Sequence, residues 1–146
     1  MATVLDVADY ILRKMGSMTS WKLQKLVYYS QAWSLVWDEH PMFGERIEAW
    51  ANGPVSPDLY RVHKGRYWVD GIEGGDAKNL QPASLETIDV VLKYYGDKSP
   101  QWLSDLTHAE DPWKNARGDL PSGAYSQAEI TCEAMAAFYE SLPPDS

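Results

Sequence analysis

Residues 22–60 read KLQKLVYYSQAWSLVWDEHPMFGERIEAWANGPVSPDLY, and this stretch decides the fold. Thr19 or Ser20 opens a helix that runs to about Asp38. Leu23, Leu26, Val27, Ser30, Trp33 and Trp37 form one stripe along it, and Trp21, Tyr28, Ala32 and Leu35 form a neighbouring one. They leave only a narrow polar line through Gln24, Gln31 and Asp38. A helix that is apolar around most of its girth belongs at the centre of a fold. Lys22, Lys25 and Tyr29 share a flank apart from that line and are the exposed candidates on this element. His40-Pro41 stops the helix, because the residue before proline avoids the helical region. From Arg46 the chain alternates, with Ile47, Ala49 and Ala51 on one face and Arg46, Glu48, Trp50 and Asn52 on the other. Period two predicts a short strand. Asn52-Gly53-Pro54-Val55 is a turn, and Ser56 before Pro57 starts a helix reaching about His63.

Outward from this stretch, most signals are helical. Thr3 caps a helix with Asp6 in its first turn, and Val4, Val7, Ala8, Ile11, Leu12 and Met15 make its stripe before Gly16. Tyr67-Trp68-Val69 reads as a second strand, and Gly71 to Gly75 as a loop. Ser84 caps a helix whose core face is Leu85, Ile88, Val91, Leu92 and Tyr95, closed by Gly96. Ser99-Pro100 opens another, with Trp102, Leu103 and Leu106, and Asp111-Pro112 repeats the device before Trp113. Ser126-x-x-Glu129 is a capping box for a last helix with Ile130, Ala134, Ala137, Phe138 and Leu142. The expected fold is mainly α (α+β): about six helices around one central apolar helix, with a very small antiparallel β element near residues 46–51 and 66–69. One domain is expected over residues 1–142, with a frayed tail at 143–146.

Composition narrows the function. The net charge is −8, which disfavours nucleic acid, because binding to phosphates needs a basic footprint. It suits a basic partner. Seven Trp and nine Tyr against two Phe suit part-buried surfaces, since these side chains join apolar area to a polar tip, but an aromatic-rich core is the more ordinary reading of the same surplus. The single cysteine, Cys132, cannot form an internal disulfide, and it reads as a small mid-helix hydrophobe. MATVLDVADYILRK carries acids and no long apolar run, so it does not read as a signal peptide. No run of about 18 apolar residues predicts a membrane span. A cytoplasmic protein is expected.

The search for chemistry is largely negative. His40, His63 and His108 fall in separate elements. His108-x-Glu110 matches half of a zinc-deaminase signature, but the Pro-Cys-x-x-Cys half is absent. There is no His-Glu-x-x-His, no phosphate loop after Gly74-Gly75 and no Gly-x-Ser-x-Gly elbow. Asp105, Glu110 and Asp111 read as surface carboxylates. No catalytic residue, metal ligand or cofactor is assigned.

Lys22-Leu23-Gln24-Lys25-Leu26-Val27-Tyr28-Tyr29, then Ile47-Glu48-Ala49-Trp50, Gly53-Pro54-Val55 and Leu59-Tyr60, occur in an order that resembles the Panacea domain, the SocA-like, phage-associated GepA family. Leu103-Ser104, Thr107-His108 and Pro112-Trp113 extend the resemblance to roughly residues 3–140. It implies a mainly helical antitoxin of a two-gene toxin–antitoxin system, neutralising a cognate toxin by direct binding, with delivery to a protease in some members. It brings no catalytic residues. A separate DNA-binding segment is not expected, since the charge argues against one. The partner contact is expected on Lys22, Lys25, Tyr29, Trp50, Asn52, Pro54, Val55 and Tyr60. Two alternatives stand beside this reading: a phage or mobile-element adaptor without a toxin partner, and an unrecognised enzyme using His108 with Asp105, Glu110 or Asp111.

Overall fold

A computed structural model describes residues 2–121 and 123–142. The frayed tail expected at Pro143–Ser146 lies outside them. Seven helices occur in the described residues: α1 (Val4–Met15), α2 (Ser20–Trp37), α3 (Pro57–His63), α4 (Pro82–Tyr95), α5 (Pro100–Ala109), α6 (Asp111–Arg117) and α7 (Cys132–Glu140). The strands are β1 (Met18–Thr19), β2 (Ile47–Trp50), β3 (Gly53–Val55), β4 (Trp68–Val69) and β5 (Glu129–Ile130). The chain is mainly helical with a small antiparallel β component, as expected. The β component is divided between two sheets. β1 pairs with β4, while β2 lies between β3 and β5.

α2 is the central helix. It packs against α1, α4, α5, α7 and β3, and Leu23, Leu26, Val27, Tyr28 and Tyr29 are all buried. Gln24 and Gln31 of its polar line face inward and bind backbone, while Asp38 ends the helix half-buried and accepts from Thr87 Oγ1. Gln24 Oε1 accepts from the Ser56 amide (2.9 Å), and its Nε2 donates to the Ser56 carbonyl (3.3 Å) and to His63 Nε2 (2.9 Å). One turn pair later, Gln31 accepts from the Met42 amide (2.8 Å) and donates to the Phe43 carbonyl (2.9 Å). Ser34 Oγ donates to the His40 carbonyl at 2.9 Å. Loops that would otherwise bury unpaired amides and carbonyls are thereby satisfied from one helix.

The first helix forms as its local signals predict. The Asp6 amide reaches Thr3 Oγ1 (3.4 Å), and Asp6 Oδ2 accepts from the Thr3 amide (2.8 Å), completing a capping box. Asp6 and Asp9 also accept from the amides of Asp76 and Ala77, which seats the 71–79 loop on α1.

Several boundaries differ from expectation. Ser126-x-x-Glu129 does not start the last helix; Glu129 and Ile130 form β5, and Thr131 caps α7. The reason is tertiary: β2 offers a free edge, and Ile130 opposite Ile47 is buried there. α7 therefore turns Met135 and Tyr139 inward, and Cys132 is its half-buried first residue instead of a mid-helix one. α4 begins at Pro82, two residues before Ser84. Glu110 takes the cap position of α6 but makes no capping bond, because its carboxyl is engaged elsewhere. Asn52-Gly53-Pro54-Val55 is a turn that becomes a strand, with Gly53 opposite Trp50 and Val55 opposite Glu48. Pro54 is tolerated because β3 is an edge strand.

Candidate partner-binding site

The eight residues expected at a partner contact separate into exposed and buried sets. Lys22, Trp50 and Tyr60 are partly exposed and Asn52 is exposed, whereas Lys25, Tyr29, Pro54 and Val55 are buried. The exposed flank expected at Lys25 and Tyr29 is thus corrected: neighbouring elements cover α2 on that side too. Trp50 and Tyr60 meet edge to face at 5.0 Å, and Trp50 Nε1 donates to Glu48 Oε1 at 2.9 Å. Tyr29 belongs to a different region. Its ring stacks on Tyr95 at 4.1 Å and its hydroxyl donates to Glu110 Oε1 at 2.7 Å.

His108 and the three carboxylates near it in sequence do not converge. His108 Nδ1 lies 2.6 Å from the Ser104 carbonyl and Nε2 lies 3.1 Å from the Ala51 carbonyl, with the ring against Trp113. It anchors the β2–β3 turn to α5. Asp105 accepts from Gln101, Asp111 pairs with Lys114 at the surface, and Glu110 turns toward Tyr29 and Tyr139. Burial raises the Cys132 thiol, and Glu133 and Glu129 add to the effect, so nothing there favours a thiolate. Among the described residues, no group of three or more His, Cys, Asp or Glu is placed to hold a metal ion. No helix there is long and apolar enough to cross a membrane.

A groove of about 610 Å³ opens beside α2. Trp33, Val36 and Trp37 of α2, Val91, Tyr94 and Tyr95 of α4, and Trp102 and Leu106 of α5 wall it. Glu110, Tyr139, Glu140 and Leu142 complete it. Trp37, Tyr94 and Trp102 are 46 %, 60 % and 45 % exposed, unusual for side chains of this size gathered in one place. Trp33 and Trp37 stack at 4.9 Å, and Trp33 Nε1 donates to the Tyr95 hydroxyl at 3.1 Å. The walls are therefore held in fixed orientation.

Glu110 contributes the buried acid of this groove, at 8 % exposure. Its Oε1 accepts from Tyr29 and from Tyr139, both at 2.7 Å, and the Tyr28 and Tyr139 hydroxyls are 3.0 Å apart. Burial raises the Glu110 carboxyl above its ordinary range, and the two phenol bonds counter that in part. Burial likewise pushes the Tyr29 and Tyr139 hydroxyls well up, so both stay protonated donors. Glu110 Oε2 has no partner among the described residues. The sequence reading missed this groove. Its available signals were the Trp and Tyr surplus and the i, i+4 pair Trp33 and Trp37.

No curated protein and no solved structure matches the chain. The family model described as "Antitoxin SocA-like, Panacea domain" matches residues 23–114, more than half of the chain. Those residues run from the second turn of α2 into α6, taking in the β2–β3 hairpin and three of the helices that meet at the groove. By this match the chain belongs to the SocA-like antitoxin family with a Panacea domain.

Proposed function

We propose that this chain is a cytoplasmic antitoxin that neutralises a cognate toxin by direct contact, and that the aromatic groove receives a toxin segment bearing an arginine or lysine. One observation carries the site: an open groove of aromatic faces holds a buried carboxylate with one oxygen unused. Aromatic faces attract cations, and a carboxylate at the same place supplies the counter-charge. The charged lining residues, Glu110 and Glu140, are both acidic, and the chain carries −8 overall, which favours a basic partner.

Coexpression with the adjacent gene tests the role: if that gene is harmless alone, the antitoxin reading fails. Trp102→Ala and Trp37→Ala should each weaken the complex by about tenfold or more, as central aromatic anchors do. Glu110→Gln keeps the phenol bonds and removes the charge, so it should weaken a cationic contact. If these variants bind unchanged while alanine at Trp50, Asn52, Tyr60 or Lys22 abolishes binding, the contact lies at the hairpin corner and the groove assignment fails. Rescue that persists in a host lacking its energy-dependent proteases indicates masking; rescue that disappears there indicates delivery to a protease.

A further inference from the structure

A second recess lies on another face of α5. Lys25 is 1 % exposed, yet no carboxylate and no hydrogen-bond acceptor for its ammonium is found among the described residues. Buried lysines are ordinarily paired, because an isolated charge out of water is costly. Its stem crosses the hairpin at Gly53, where an added Cβ would fall 2.6 Å from Lys25 Cε and 3.0 Å from Nζ. The Trp21 ring lies 5.6 Å from Nζ. The tip meets a cleft of about 210 Å³ lined by Trp21, Lys25, Asn52, Pro100, Gln101 and Ser104.

The lining specifies a ligand class. There is one cation at the base, and Asn52, Gln101 and Ser104 supply neutral hydrogen-bonding groups. Trp21 and Pro100 supply an apolar wall. One positive charge matches one negative charge, and the apolar wall matches a carbon stub. Gln101 is itself bonded to Asp105 at 2.8 Å, which places a negative charge near the rim and disfavours a dianion. We propose that this cleft binds a carboxylate, held by the Lys25 ammonium and the amides of Asn52 and Gln101. The same chemistry arises from a free organic acid or from an acidic side chain of a bound protein.

The test is NMR titration of the full chain with its lysines labelled at Cε, following the Lys25 signal. Acetate should shift that signal saturably. Gln101→Glu places a carboxylate on the rim at an exposed position, where it should occupy the ammonium and weaken acetate at least tenfold. Lys25→Met should abolish the accompanying shifts of the Asn52 and Ser104 amides. Tighter binding of N-acetylglutamate N-methylamide than of acetate or succinate assigns the ligand to a protein side chain; the reverse order assigns it to a free acid. No saturable shift with any carboxylate, an undiminished response in Gln101→Glu, or a response to inorganic phosphate alone overturns the proposal.

Discussion

Lys25→Met should make the protein more stable at neutral pH. Burial alone lowers the Lys25 ammonium to about 8 from an ordinary 10.5. At 1.36 kcal/mol per pH unit, that interval is a cost of about 3 kcal/mol whenever the side chain is charged. The sign follows from proton binding. Between pH 8 and 10.5 the folded chain holds fewer protons at this site than the unfolded chain, so the Lys25 contribution improves as pH rises. Below pH 8 the full cost is present. Methionine keeps an unbranched stem of similar length and removes the charge. It forfeits the cation–π contact with Trp21, about 0.5–1 kcal/mol. A net gain of about 2 kcal/mol remains, or roughly 4–8 °C in melting temperature for a chain of this size. Urea unfolding of both proteins at pH 7 and pH 10.5 measures it. The gain should be largest at pH 7 and shrink toward pH 10.5, while titrations common to both proteins cancel in the difference. A variant less stable than the parent at pH 7, or a difference that does not change with pH, would refute the reasoning.

Gln24→Met should cost about 2 kcal/mol in urea unfolding, since it leaves the buried Ser56 amide without its acceptor, while the Ser56 carbonyl keeps the Tyr60 amide; a loss under 1 kcal/mol would show that the corner re-satisfies itself. Gly53→Ala should cost about 2 kcal/mol, because φ is +123° and the new methyl meets Lys25. Combining it with Lys25→Ala should recover only the steric part, which a double-mutant cycle reads directly. His63 is held below its ordinary 6.5, by burial first, and its Nε2 accepts from an amide whose orientation Ser56 fixes. The folded state therefore binds fewer protons there, and stability should fall as pH drops below about 6.5. His63→Gln keeps an acceptor and should flatten that part of the pH profile; an unchanged slope would assign the acid sensitivity to other groups.

The elements legible in the sequence are those with local causes. Thr3, Asp6 and Gly16 delimit α1 through contacts within a few residues, and Ser56-Pro57 does the same for α3. Alternation from Ile47 to Trp50 reveals β2 because a strand presents opposite faces to core and rim. The failures share a different cause. Ser126 and Glu129 have helix-start chemistry, but the free edge of β2 recruits Glu129 and Ile130 from about 80 residues away in sequence. Lys25 and Tyr29 look exposed because polar tips at helical spacing usually meet water. Here Tyr29 finds Glu110, 81 residues on, and Lys25 lies over Gly53. The groove was illegible for the same reason. Its walls come from four helices, and no one of them carries enough of it to be read alone.

The residues that hold the hairpin and loops on α2 and those that line the groove do different work. Gln24 and Gln31 bind loop backbone, Gly53 lets Lys25 cross the hairpin, and His108 fixes the Ala51 carbonyl. These tasks define a frame, and each tolerates few side chains. The groove needs only large apolar surface around one buried acid, which many side chains can supply. One of its walls, with Tyr139, Glu140 and Leu142, lies beyond the matched residues 23–114. Substitutions at Glu140 and Leu142 would reshape that wall without touching the hairpin frame. Tyr139 is the exception, because its hydroxyl also satisfies Glu110. A family that keeps the frame while varying this wall could present different grooves to different partners at little cost in stability. Exchanging Glu140 and Leu142 between two members should therefore move partner preference while leaving the urea midpoint within about 0.5 kcal/mol of the parent, as for substitutions away from the core.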